Sequence, residues 1–270
     1  MPNFHTDEWI MKQLNRHYEE AKLRYPEDRI IGVFIQGSQN YGLDYPGSDI
    51  DTKCILTPTW EDICFNRKPV STTLVLDNEE HLDAKDVRLY FECFKKQNLN
   101  FLEILFTKYK ILNPIYQEQW TRLVDANEKI AQNNPFRAVK TMKGIAMEKY
   151  HALKHPYPSK LDILARFSYD PKQLHHLLRV EEYIKRYING EPYADCLMTE
   201  YSVYLKSVKE GMYSLEQAEE IAAASLQTTT DLADEFCAIH PDQPDPQIDE
   251  LFASVQEKIM RIAITKELNK

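Results

Sequence analysis

The chain carries Ile35-Gln36-Gly37-Ser38 and, ten residues later, Ser48-Asp49-Ile50-Asp51. A glycine leaving a strand lets the backbone approach a ligand closely, and Ser38 beside it offers a hydroxyl. A short helical turn over residues 39–43 would aim free N–H groups at a phosphate. One strand later, Asp49 and Asp51 stand at i and i+2, on one side of the strand and about 7 Å apart. Their repulsion is hard to tolerate without a cation, and hard oxygen donors suit Mg²⁺, which bridges carboxylates to substrate phosphates. A phosphate turn beside such a strand points to phosphoryl or nucleotidyl transfer. With 42 acidic residues in 270, an isolated Asp-x-Asp arises readily by chance. The reading rests on the combination: apolar runs flank both halves, and loop-forming residues join them.

The elements that must hold these residues follow from the surrounding pattern. Thr6 is an N-cap candidate for a helix over 6–25, with Asp7 and Glu8 in its first turn and Ile10, Leu14 and Tyr18 at helical spacing. Residues 30–36 read as a buried strand. Residues 49–56 read as a second, whose alternation places Asp49, Asp51 and Lys53 on one face. Strands are also expected over 71–76 and 79–83, and a helix over 87–95. Beyond about residue 110 glycine is scarce and amphipathic patterns dominate, over 114–132, 135–154, 171–189, 194–208, 214–237 and 246–267. The expectation is an α+β chain, a small sheet with helices followed by an all-helical C-terminal region. The division expected is 1–110 and 111–270.

Composition narrows the function classes. Hydrophobic residues make up 43% and charged residues 28%, a globular balance. The longest apolar run, 30–35, is far short of the roughly 20 residues of a spanning helix. No apolar leader opens the chain, so a cytoplasmic protein without a membrane partner is expected. Five scattered cysteines form no CxxC pair and read as reduced thiols. A net charge of −9 disfavours a bulk polyanion binder. A local basic tract, Arg137, Lys140, Lys143, Lys149, Lys154 and Lys160 opposed only by Glu148, reads either as a polyanion track or as a helix face neutralised by acidic neighbours.

Hydrophobic-Gly-Ser, a loop of about ten residues, then Asp-x-Asp resembles the active-site signature of the DNA polymerase β nucleotidyltransferase superfamily. The loop GSQNYGLDYPGSDID is similar to that of a bacterial and phage branch of predicted nucleotidyltransferases, some associated with RNA ligases. Two further blocks resemble that branch in the same order: Val87 through Leu105, and Tyr169-Asp170-Pro171-Lys172 through His176 and Arg179. Together the three span roughly residues 30–180.

The resemblance implies a small mixed sheet with helices on one side, which binds an NTP, with ATP expected, and two Mg²⁺ ions, Mn²⁺ being an alternative. The NMP would pass to a hydroxyl acceptor, an RNA 3′ end, a small molecule or a protein side chain, with release of pyrophosphate. Asp49 and Asp51 would hold the metals. A third acid is expected on a neighbouring strand, where the branch places it at the position of His81. Alternation puts Glu79, His81 and Asp83 on one face, so Asp83 is preferred, with Asp86 the alternative and His81 a possible base. On the helix from Pro171, Lys172, His176 and Arg179 form a polar stripe at i, i+4 and i+7, suited to the β and γ phosphates; an ordinary solvated face is the competing reading. The helical region would then close over the nucleotide. The competing function is a catalytically silent module that senses nucleotides on the same fold.

Overall fold

The computed structural model describes residues 3–76 and 80–269. The architecture is α+β: a five-stranded mixed sheet with helices, and a helical C-terminal region. Helix α1 (Asp7–Arg24) starts at Thr6, whose hydroxyl accepts the Trp9 N–H, and buries Ile10, Leu14, His17 and Ala21 along one stripe. Next come β1 (Ile30–Gln36), β2 (Asp51–Leu56), the short α2 (Trp60–Cys64), β3 (Ser71–Val75) and β4 (His81–Asp86). Helices α3 (Val87–Lys95) and α4 (Leu99–Leu102) lead to the edge strand β5 (Lys110–Leu112), then to α5 (Gln117–Asp125) and α6 (Asn127–Ala131). Asn98 caps α4 by accepting the Asn100 N–H.

The sheet order is β3-β4-β2-β1-β5, with β2 parallel to β4 and the other pairs antiparallel. Alternation gives it two chemically different faces. Cys54 and Leu56 of β2 and Leu82 and Ala84 of β4 are buried with Val33, Ile35 and the apolar stripe of α1. The opposite face carries Asp51 and Lys53 of β2 beside His81, Asp83 and Lys85 of β4. Its apolar part lies under the later helices: Phe34 meets Trp120 of α5 at 4.4 Å between ring centroids. Helices therefore cover both faces, not the single side implied by the resemblance, because α1 brings an apolar stripe of its own.

The helical segment runs through α7 (Pro135–Ala152), α8 (Leu161–Phe167), α9 (Pro171–Ile188), α10 (Tyr193–Leu197), α11 (Ser202–Lys209) and α12 (Leu215–Ile239). Helices α7, α9 and α12 pack on one another. Along α12 the buried positions are Ala218, Ala222, Ser225, Thr229 and Ala233, small residues at helical spacing that let neighbouring backbones come close. The last helix, α13 (Pro246–Leu268), returns to the sheet, where Phe252 lies 5.4 Å from Phe91 and 6.1 Å from Phe94 of α3.

The chain accordingly forms two compact units, Pro2–Asn133 with Pro244–Lys270, and Asn134–Gln243. This division differs from the expected break at 110, because Trp120 of α5 packs on Phe34 of β1 and Phe252 of α13 packs on Phe91 and Phe94 of α3. Among the described residues no helix is long and apolar enough to cross a membrane.

Two glycines test this packing in opposite senses. A Cβ on Gly32 of β1 would meet the Ile111 carbonyl oxygen and the Phe34 ring at 2.9 Å, whereas one on Gly144 of α7 meets nothing within 4 Å. Gly32→Ala is expected to destabilise the protein by about 1–3 kcal/mol through overpacking. Gly144→Ala is expected to stabilise it by about 0.5–1 kcal/mol through helix propensity. Denaturant midpoints of the two variants check both signs.

Candidate active site

Gly37 ends β1 with φ of 92°, a backbone region that favours glycine, and opens a single 3₁₀ turn over Ser38–Asn40. Nothing lies within 4 Å of the place a Gly37 Cβ would occupy, so space lies open there. Ser38 is half-buried. The turn is held from below: the Asn40 amide donates to the Ile35 carbonyl at 3.0 Å, and Thr107 donates its hydroxyl to Asn40 Oδ1 at 2.6 Å. Further along the loop, buried Asp44 accepts the N–H groups of Phe4 and His5, both at 2.9 Å. These hydrogen bonds, with the burial of Tyr41, Leu43 and Ile50, give the loop a fixed path.

The sheet register brings turn and acids together. Gln36 pairs with Asp51 across β1 and β2, so Gly37 follows directly beside the point where the acidic strand begins. Asp51, the first residue of that strand, and the two residues before it are then bonded by two other segments. Buried Gln39, on the Gly-Ser turn, donates its side-chain amide to the Asp49 carbonyl at 2.9 Å. The Ile50 N–H donates to Glu80 Oε1 at 3.2 Å. Asp51 Oδ1 accepts the His81 backbone N–H at 3.1 Å and lies 3.2 Å from His81 Nδ1. Asp49 is exposed, and Asp51 is partly exposed.

The candidates for a third acid separate. Asp83 stands opposite Lys53 across β2 and β4, and the Lys53 Nζ lies 3.5 Å from its Oδ2. Burial holds the Lys53 pKa below its ordinary value, an effect that the Asp83 charge opposes. Asp86 does not join the cluster. It is buried on the other face, caps α3 through the Arg88 N–H, and takes both Nε (2.9 Å) and Nη2 (2.7 Å) of Arg88. His81 touches Asp51 directly, while Glu79 lies outside the described residues.

The test for a divalent cation concerns these donors. Among the described residues no three His, Cys, Asp or Glu side chains converge to form a metal cage. Asp49 and Asp51 present hard oxygens to solvent, with no cationic side chain beside them apart from His81 when protonated. Mg²⁺ needs only one or two carboxylates when waters and phosphates complete its octahedron. The donor chemistry of the pair fits one such ion.

Sequence reasoning missed the supports of this strand. Glu80 is buried, pairs with Arg16, and lies 2.8 Å from His17 Nε2; His17 Nδ1 in turn lies 2.9 Å from the Thr52 hydroxyl. Desolvation pushes the His17 pKa down, against the pull of Glu80. The signal available was His17 itself, in phase with Ile10, Leu14 and Ala21 on the buried stripe of α1.

Comparison of the sequence with protein-family models and with curated proteins finds no match. Among solved structures, the chain is similar to a nucleotidyltransferase-like protein from Exiguobacterium sibiricum 255-15, with 12% identity and a TM-score of 0.32, over 83% of this chain and 75% of the other.

Within the helical unit, Lys172, His176 and Arg179 lie on α9, whose start is fixed by Pro171 and by Asp170 accepting the Lys172 N–H. Desolvation, then neighbouring His175 and Lys172, holds the His176 pKa well below its ordinary value. Arg179 Nη2 donates to the Leu197 carbonyl at 3.2 Å. The basic tract is largely neutralised: Arg137 pairs with Asp242 at 2.7 Å, Lys143 with Asp234 at 2.6 Å, Lys160 with Asp170 at 3.6 Å, and Lys154 with Glu219. The solvated-face reading holds there.

A pH dependence follows from this unit. Buried His175, whose Nδ1 lies 2.8 Å from the Leu205 carbonyl, has its pKa lowered from 6.5 to about 4, chiefly by desolvation and further by Arg179, Lys209 and Lys172. The unfolded chain takes up this proton near pH 6.5 and the folded chain only near 4, so the contribution is full above 6.5 and is lost as pH falls through that window. Thermal melts should show a smaller drop in Tm between pH 7 and pH 5 for His175→Gln than for wild type.

Proposed function

We propose that the protein is a nucleotidyltransferase, which transfers the NMP of an NTP to a hydroxyl acceptor with release of pyrophosphate. The observation that carries this reading is the hydrogen bond from Gln39 to the Asp49 carbonyl, which ties the Gly-Ser turn to the acidic strand. Open space at Gly37, a hydroxyl at Ser38 and two solvent-facing carboxylates then lie on adjoining segments. The turn would hold a phosphate close to the backbone. Asp49 and Asp51 would hold Mg²⁺, with Mn²⁺ as a substitute, and the ion would supply charge neutralisation on the phosphates and a template for in-line attack. A bond forms between the acceptor oxygen and the α phosphorus, the bond from that phosphorus to the pyrophosphate oxygen breaks, and the acceptor's proton passes to the Asp51–His81 pair. ATP is the nucleotide to try first, and an RNA 3′ end the first acceptor.

A second reading draws on the pairing of Asp83 with Lys53 and the absence of an acid at His81: a nucleotide-sensing module that binds without transfer. Pyrophosphate release in the presence of Mg²⁺, NTP and RNA separates the two.

Asp49→Asn and Asp51→Asn are each expected to reduce transfer by well over tenfold with melting curves little changed, because loss of a metal ligand costs more than about 1.4 kcal/mol of barrier. More than a tenth of wild-type activity in both variants contradicts the reading. At the turn, Gly37→Val should raise the KM for NTP far more than Ser38→Ala does, since a branched side chain is strained at the positive φ and would fill the open space proposed for the phosphate. Steady-state kinetics on both variants checks the order.

A further inference from the structure

We propose that Lys53 is a fixed internal counter-ion for Asp83, so that the metal centre of this face is built on Asp49 and Asp51 alone and takes one divalent ion. The inference rests on the nucleotidyl-transfer reading above and departs from the two-ion arrangement that the resemblance implies. It begins with register. Lys53 and Asp83 are directly opposed on parallel strands, and Lys53 follows Asp51 by two residues, so all three side chains share one face.

Lysine is long and flexible, yet this one is immobilised. Its side chain is only 4% exposed, against 24% for Asp83. Its ammonium lies 3.5 Å from Asp83 Oδ2 and 4.2 Å from the centroid of the Phe101 ring, a carboxylate and a π face acting on the same charge. A second ammonium, that of Lys85, stands 5.4 Å from the same ring and donates to the Ser71 hydroxyl at 2.8 Å. A divalent ion on Asp83 would have to share that carboxylate with Lys53 and sit in the field of both lysines. Asp51 is arranged differently. Its Oδ1 accepts the His81 backbone N–H and lies 3.2 Å from the His81 ring Nδ1, and among the described residues no lysine or arginine forms an ion pair with Asp51 or Asp49. Charge therefore divides the face into a carboxylate pair that can accept a metal and a carboxylate that is already compensated. The lack of any three-ligand cluster among the described residues agrees with this division.

The test is titration of the full-length protein with Mn²⁺ alone, followed by the electron paramagnetic resonance signal of the free ion. Wild type is expected to bind one equivalent. Asp51→Asn should weaken binding by more than tenfold, while Asp83→Asn should leave the dissociation constant within about twofold. Lys53→Met, which keeps the length of the side chain and removes its charge, should expose Asp83 and add a second equivalent or tighten binding severalfold. The double variant Lys53→Met/Asp83→Asn, which leaves no buried charge uncompensated, should return to the wild-type stoichiometry. Two equivalents in wild type with one lost in Asp83→Asn overturns the inference while leaving the Asp49–Asp51 site intact. Equal weakening by Asp83→Asn and Asp51→Asn also overturns it. Binding that Asp51→Asn does not affect, or no binding by wild type, overturns the inference together with the reading on which it rests.

Discussion

The account depends on keeping two like charges close together without letting the backbone that bears them relax. Like-charged carboxylates two residues apart repel, which favours splaying of an unsupported chain end. Here residues 49 and 50 are tied through their backbone, to Gln39 of the Gly-Ser turn and to Glu80, while the Asp51 carboxylate accepts the N–H of His81, the residue after Glu80. The repulsion is contained by these hydrogen bonds, and the Asp49 carboxylate is left exposed.

The same logic extends beneath the strand. Glu80 is a buried carboxylate, a costly group unless paired, and it is paired with Arg16 and His17 of α1 while accepting the Ile50 N–H. A helix whose apolar stripe packs the sheet therefore also fixes the acidic strand through two polar residues. On the opposite face Lys53 and Asp83 compensate each other under Phe101. Polar groups that would be liabilities in a small core become the parts that define the site.

Much of the framework could be read from sequence, because it follows from local pattern. β1 and α3 occupy 30–36 and 87–95 as alternation and helical spacing indicate, and Thr6 caps α1. The expected second strand began at 49, but β2 begins at Asp51, since the Asp49 carbonyl bonds the Gln39 side chain instead of the ladder. The patterns over 114–132 and 194–208 are each broken into shorter helices. Three-residue β5 has too few positions to show alternation. Gln36 pairs with Asp51 and Gln39 bonds the Asp49 carbonyl, which sets the Gly-Ser turn beside the two acids. Gln39 and Glu80 were not readable, since both act on backbone groups 10 and 30 residues away and no side-chain pattern marks a backbone partner. Asp86 was misplaced as an alternative acid because a cap and a ligand look alike in sequence; its bidentate pairing with Arg88 shows only in three dimensions.

The most direct measurement is the anomalous diffraction of Mn²⁺ in crystals grown with an ATP analogue that cannot be cleaved between the α and β phosphates. The account predicts a peak within ligand distance of both Asp49 and Asp51 and of a phosphate oxygen, with the triphosphate against the Gly37-Ser38 turn. A peak on the triphosphate that contacts neither aspartate, or an analogue seated away from the turn, would contradict it.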